Sequence, residues 1–337
     1  MTQTVLSIRP SAHLLYCRQG LYEAGKETGR KACSAALLRL LRGFFLSCLV
    51  LVFGLSAFSA GTQRVADPCA RSVALLRDAL QQGKTFFIKV HAAEALLMHG
   101  QSNEIGPLFQ QLRQQASANE IGALRVLARL NRDRAAAYKD YTGQLRAHMH
   151  DTASLTRLAA LESLGKLGCS ATDALVRRYA DTGTGAFKAM ARWVLSNKGT
   201  PAGEDSLSGL LLSPKLDDYR YAAYALRFKA QVRAQTVERL VQCLAALKAD
   251  DRARVYVASC LFIHARGAAR LQAKRVLLAY AGGNTGQRYE TAEALGTAGT
   301  AADLPLLQRL QADSETDVQV AAANAVLKIL RCRGSSK

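Results

Sequence analysis

Apolar and small residues return every three or four positions through most of this chain, and one such phrase returns as a block. It reads Lys89-Val90-His91-Ala92-Ala93-Glu94-Ala95-Leu96, then Arg288-Tyr289-Glu290-Thr291-Ala292-Glu293-Ala294-Leu295, then Gln319-Val320-Ala321-Ala322-Ala323-Asn324-Ala325-Val326. Weaker copies align on the last apolar position of the phrase, at Leu96, Leu127, Leu164, Leu195, Leu226, Leu261, Leu295 and Val326. The spacings are 31, 37, 31, 31, 35, 34 and 31 residues. Val90, Ala93 and Leu97, or Val320, Ala323 and Leu327, fall on one stripe of a helix. A second helical stretch precedes many of the phrases: Glu104–Gln115, Thr172–Ala180, Thr236–Lys248, Ala269–Tyr280 and Asp303–Ala312. Gly100-Gln101-Ser102, Gly168-Cys169-Ser170, Gly199-Thr200-Pro201, Gly282-Gly283-Asn284 and Gly299-Thr300 punctuate the series. Glycine suits a helix C-terminus, and the polar residue after it suits the next N-cap. Pro107 and Pro305 fall in first turns, where a missing N–H costs little.

A helix–turn–helix unit of this length cannot bury its apolar face alone, so neighbours must stack. The pattern therefore predicts an all-α, right-handed α-α superhelix of about eight helical hairpins over residues 67–331, its second helices lining the concave face. The second and fifth copies are weakest. In the fifth, a short first helix at Leu207–Leu212 follows a loose stretch, Asn197–Asp205, and a seam is expected there. The repeated phrase resembles the HEAT superfamily, and the 31-residue period is similar to its short branch, first named for phycocyanobilin lyase subunits. Phe87–Gly100 together with Arg125–Arg129 is similar to exported bacterial HEAT-repeat proteins. The resemblance implies a HEAT-like solenoid acting as a binding scaffold. It implies no single activity, because one fold hosts many functions.

Composition agrees with close helix packing. Apolar residues make up 49% of the chain but aromatic ones only 7%, leaving Ala and Leu to fill the core, and both are good helix formers. Charge adds a second theme. The net charge is +19, of which residues 1–60 carry +5 and the rest +14. Such a surplus attracts acidic proteins, acidic polymers, nucleic acid or anionic lipid without choosing among them.

Residues 1–42 form a basic N-terminal extension. Gly43–Ala60 then reads GFFLSCLVLVFGLSAFSA, with no charge in 18 positions and Arg30, Lys31, Arg39 and Arg42 ahead of it. That order matches a secretory signal, with cleavage expected near Ala60 or Gly61. Uncleaved, the segment is near the minimum length for a membrane anchor with its basic side cytoplasmic. The extension is longer than a signal needs, which places the natural start near Leu37 to Leu41. Either way the repeat domain is expected to be exported, to the periplasm or outside, or anchored in the inner membrane. Residues 332–337 read as a disordered tail.

Catalytic and metal motifs are absent from the reading. The eight cysteines are scattered without a CxxC pair, so neither a zinc site nor a disulfide framework is suggested. Five of them follow residue 60, which leaves at least one unpaired within a monomer. His91 and His99 are eight apart, too far to share an ion, and His148-Met149-His150 is spaced badly for a helix face. No serine or cysteine nucleophile sits beside a histidine, and no glycine-rich phosphate loop occurs. Asp217-Asp218 and Asp250-Asp251 precede second helices, where capping explains them. No catalytic residue, cofactor or metal is expected.

The candidate binding residues are basic. Lys89, Lys188, Arg192, Arg220, Arg254 and Arg288 recur at or near the start of second helices. Stacked, they would form a ladder on the concave face able to hold a polyanion. The same positions also suit structural Arg–Asp pairs between neighbouring repeats, with Asp218, Asp251 and Asp317 as partners. The expected function is a non-enzymatic scaffold that binds a protein, or else an acidic polymer, on its concave face. A nucleic-acid-binding protein of the DNA-glycosylase type is the alternative, and a chromophore-lyase type is a more distant one. Export argues against both.

Overall fold

A computed structural model of the chain describes residues 67–116, 119–151, 156–171 and 173–332. The signal or anchor segment 43–60, the extension before it and residues 333–337 lie outside the described residues. Among those described there are sixteen α-helices and no strand. They form eight consecutive hairpins. These are α1 (Pro68–Gln82) with α2 (Phe86–Met98), α3 (Ile105–Gln115) with α4 (Glu120–Leu130), α5 (Ala135–His150) with α6 (Arg157–Lys166), and α7 (Ala174–Thr182) with α8 (Gly185–Ser196). They continue as α9 (Pro201–Ser208) with α10 (Leu216–Leu226), α11 (Ala234–Ala246) with α12 (Arg254–His264), α13 (Gly267–Tyr280) with α14 (Thr285–Ala298), and α15 (Leu304–Leu310) with α16 (Thr316–Leu330).

Local chemistry sets the boundaries. Thr85 accepts from the Ile88 N–H to open α2, Asp173 from Val176 to open α7, and Thr200 from Gly203 to open α9. Asn284 and Gln287 complete a reciprocal capping box at α14. Gly100, Gly168 and Gly199 have φ of 75°, 73° and 77°, the left-handed conformation expected of glycine after a helix. Pro201 is the first residue of α9, which runs on into a 3-10 turn at Gly209–Leu212. The stretch Asn197–Asp205 is thus half helix, not the loose seam its composition suggests.

Seven of the eight aligned positions are buried: Leu96, Leu127, Leu164, Leu226, Leu261, Leu295 and Val326. Leu195 is the exception. It is only partly buried, because Trp193 and Val194 take the core of that hairpin instead. Small residues bring neighbouring inner helices close. A Cβ on Gly296 of α14 would stand 2.7 Å from Ala325 Cα of α16.

The second helices pack in series, α2 on α4, α4 on α6 and so on to α14 on α16. The series does not end there, for α16 packs on both α1 and α2. The superhelix closes on itself as a ring of eight inner helices within eight outer ones. Val320, Ala323 and Leu327 join the core of the first two hairpins. His91 Nδ1 lies 3.2 Å from Asp317 Oδ1, His99 Nε2 lies 3.2 Å from Asn324 Oδ1, and Gln311 donates to Ser72 Oγ at 2.7 Å. A disulfide joins Cys69 to Cys332, whose Cα atoms are 6.0 Å apart. Scattered spacing gave no sign of this pair, since 263 residues separate its members and only ring closure brings them together. Cys332 is therefore anchored rather than the first residue of a disordered tail, and its carbonyl lies 3.1 Å from His99 Nδ1. Cys169, Cys243 and Cys260 are free thiols.

Candidate functional site

Ring closure converts the concave face into a central cavity of about 1490 Å3. Its helical lining comes from the second helices alone, since each first helix is held outside by its partner. Measured from the aligned apolar residue, the position two before it is Glu94, Arg125, Glu162, Trp193, Tyr224, Ser259, Glu293 and Asn324 in turn. The position two after it is Met98, Arg129, Lys166, Asn197, Phe228, Ile263, Thr297 and Lys328. All eight of the second set line the cavity, as do six of the first. Positions two before and two after lie about one turn apart on the same face, so the two sets form stacked belts.

The belts are tied by charge. Arg125 donates to both oxygens of Glu94 at 2.8 and 3.3 Å and to Ser163 Oγ at 3.2 Å. Arg129 approaches the same Glu94 at 3.5 Å. Lys166 Nζ is 3.0 Å from Glu162, which also accepts from the Tyr224 hydroxyl at 2.5 Å. Arg227 donates to Glu290 at 2.6 Å, and Lys328 lies 3.8 Å from Glu293. The Tyr224–Glu162 and Arg227–Glu290 contacts skip one hairpin, so side chains meet across the cavity as well as along its wall.

Burial governs how these groups titrate. It would raise the Glu94 carboxyl, but Arg125, Arg129 and Lys166 hold it far below the ordinary carboxylate range. It pushes the Lys166 ammonium down against the pull of Glu162, lifts Glu290, and lifts the Tyr224 and Tyr289 hydroxyls well above 10. Aromatic rings finish the wall. Trp193 stacks on Phe228 at 5.2 Å and meets Tyr224 edge-on at 6.2 Å, while the Arg227 guanidinium lies 4.6 Å over Phe228 and 4.9 Å over Tyr224.

The structure disperses the predicted basic ladder. Only Arg220 of the six reaches the cavity, lying 4.8 Å over Tyr221 and 5.8 Å over Tyr256. Lys89 donates to the Leu80 and Gln81 carbonyls, and Arg254 to those of Leu244 and Leu247. Each thereby ties an inner helix to the C-terminal end of its own outer helix. Arg192 was expected to carry the freest charge, yet it donates to the Ala180 and Ser206 carbonyls and is half-buried. Arg288 makes a bidentate pair with Asp313. Lys188 is half-buried and stands outside the cavity lining.

The carboxylate pairs are structural too. Asp251 accepts from the Ala253 N–H and the Tyr219 hydroxyl, and Asp218 accepts from Ser213. His148 and His150 face Glu120 and Asp173 on an outer helix. No group of three or more His, Cys, Asp or Glu side chains suited to a metal ion occurs among the described residues. No described helix is long and apolar enough to cross a membrane.

No protein-family model matches this chain, and no curated protein does. Among solved structures, human deoxyhypusine hydroxylase in complex with glycerol is 19% identical, over 78% of this chain and 97% of its own, with a TM-score of 0.39. An engineered protein is 17% identical, over 78% and 98%, with a TM-score of 0.31. Neither likeness bears on function.

Proposed function

We propose that this protein is a non-enzymatic binding scaffold, exported or tethered at the membrane, that receives part of a partner protein, or of an acidic polymer, in its central cavity. The observation that carries the reading is the pair of belts. Eight helices turn toward one shared space positions that, Met98 and Ile263 apart, are charged, aromatic or polar where a purely structural repeat would place aliphatic residues. The volume exceeds the roughly 300–1,000 Å3 of a drug-sized ligand pocket, which suits a chain segment better than a small molecule. The acids and bases of the belts are committed to one another, which suits recognition rather than proton transfer. The Cys69–Cys332 disulfide supports an oxidising location, where such bonds persist. It lies just beyond the segment read as a signal or anchor.

A photo-crosslinking residue at Thr297 on the cavity wall, compared with one at Leu271, which is exposed on the outer helix α13, tests this in the native host. Adducts from position 297 and none from 271 are expected. Adducts from 271 alone would place the working surface outside the ring.

A further inference from the structure

The cavity has two unlike mouths. Every inner helix follows an antiparallel outer partner, so the eight inner helices run parallel and their C-termini gather at one end. The five residues after each aligned position give forty in all. They hold nine Lys or Arg and no Asp or Glu. Basic groups at helix C-termini offset the negative end of the helix dipole, and that accounts for some of them. Lys166, Arg227 and Lys328 also have glutamate partners.

At this mouth, two cations of the lining have neither excuse in full. Arg132 is exposed and forms no ion pair among the described residues. Lys229 reaches the Ser196 carbonyl and hydroxyl but forms no ion pair there either. Large apolar side chains stand on the same level. Met98 and Phe228 are 48% and 42% exposed, and both line the cavity. The opposite mouth mixes the carboxylates Asp250, Glu315 and Asp317 with the cations Arg220 and Arg252.

Resting on the cavity reading above, we propose that the mouth at the inner-helix C-termini admits an acidic polypeptide segment bearing apolar side chains. Arg132 and Lys229 meet its carboxylates, and Met98 and Phe228 meet its apolar groups. A chain that is anionic along its whole length is disfavoured. Glu94, Glu162, Glu290 and Glu293, one to two turns below this mouth, are already paired with cations of the wall, and Arg220 and Arg252 offset the carboxylates of the far mouth, so the charges beyond the collar balance and a nucleic acid backbone gains little by going deeper. A polypeptide can change sign along its length, and its side chains can use the apolar level.

Trp193, the single tryptophan of the sequence, stacks on Phe228 and reports entry directly. A synthetic peptide of alternating glutamate and leucine, titrated into the full chain, is expected to shift its emission with an affinity that falls as salt rises. Arg132→Glu combined with Lys229→Gln is expected to weaken binding about tenfold, chiefly through slower association. Arg132→Glu alone, at an exposed and unpaired site, carries the test if the double variant loses its helical circular dichroism. Equal binding by wild type and variant, or no binding of the peptide by wild type, overturns the proposal. So does tighter binding of an oligothymidylate that the same substitution weakens, which would make the collar a nucleic-acid mouth. None of these results touches the broader cavity reading, which fails only if the crosslinks form at Leu271 and not at Thr297.

Discussion

Glu94 and Arg125 show what a single repeat position can do. They occupy equivalent places in successive hairpins, Arg125 is buried and Glu94 largely so, and their hydrogen bonds join the two units. Removing one partner leaves the other charge buried alone, at a cost of about 3–5 kcal/mol. Arg125→Met is therefore expected to lower the urea midpoint sharply, and Arg125→Met with Glu94→Leu to recover much of the loss. Leu164→Ala, at a fully buried aligned position, should cost about 2–5 kcal/mol. Leu195→Ala should cost clearly less, because that side chain already meets solvent. Equal losses at the two leucines would mean that the partial exposure of Leu195 is not a property of the folded protein.

Residue-level reading of the sequence succeeded where period alone decides. The aligned leucines, the glycine turns and the helix count follow from spacing. The belts went unread, although Glu94, Arg125, Glu162 and Glu293, charged residues two before the aligned apolar positions, were the signal that could have shown them. The basic residues misled because their side chains are long. Lys89 and Arg254 lie in the first turns of inner helices and Arg192 two turns into its own, and their cationic ends reach back to outer-helix carbonyls; spacing says nothing of that direction.

Among the helices, α16 is distinctive because it serves as neighbour to both the seventh hairpin and the first. Its contact with α2 runs through histidine. Burial, with Lys328 nearby, holds the His99 ring below its ordinary 6.5 despite hydrogen bonds to Asn324 and the Cys332 carbonyl that favour the charged form. Burial does the same to His264, bonded to the Leu226 carbonyl. A base with a folded pKa below its unfolded one binds fewer protons when folded, so stability is complete above about pH 6.5 and falls as the pH drops below it. Thermal scans should give a steady midpoint above that pH and a declining one below it. His99→Gln should flatten part of the decline. A midpoint rising on acidification through this range would reverse the assignment.

At the scale of the molecule, closure changes how the repeats share stability. In an open array each hairpin leans on its neighbours alone, and the ends fray. Here the disulfide and the apolar contacts of Val320, Ala323 and Leu327 supply the ends with neighbours. Cys69→Ser with Cys332→Ser should cost about 2–4 kcal/mol, and its unfolding should begin at the first and eighth hairpins. Hydrogen exchange would show that as a loss of protection confined to α1, α2, α15 and α16, whereas uniform loss would mean the seam is no weaker than the rest. Closure was not legible in the sequence. It depends on small rotations per hairpin adding up to one full turn, and no single repeat records that sum.

A ring of like units has no privileged beginning. The Cα atoms of Cys69 and Cys332 stand 6.0 Å apart, a gap that two or three extended residues can bridge. The order in which the ribosome delivers the hairpins is thus separable from the order in which they pack. A circular permutant joining residue 332 to residue 69 and opened between Gly199 and Thr200, an exposed turn, should keep the helical signal and the Trp193 emission of the parent. The fold would then belong to the cycle of hairpins, and the numbering only to where the gene happens to cut it.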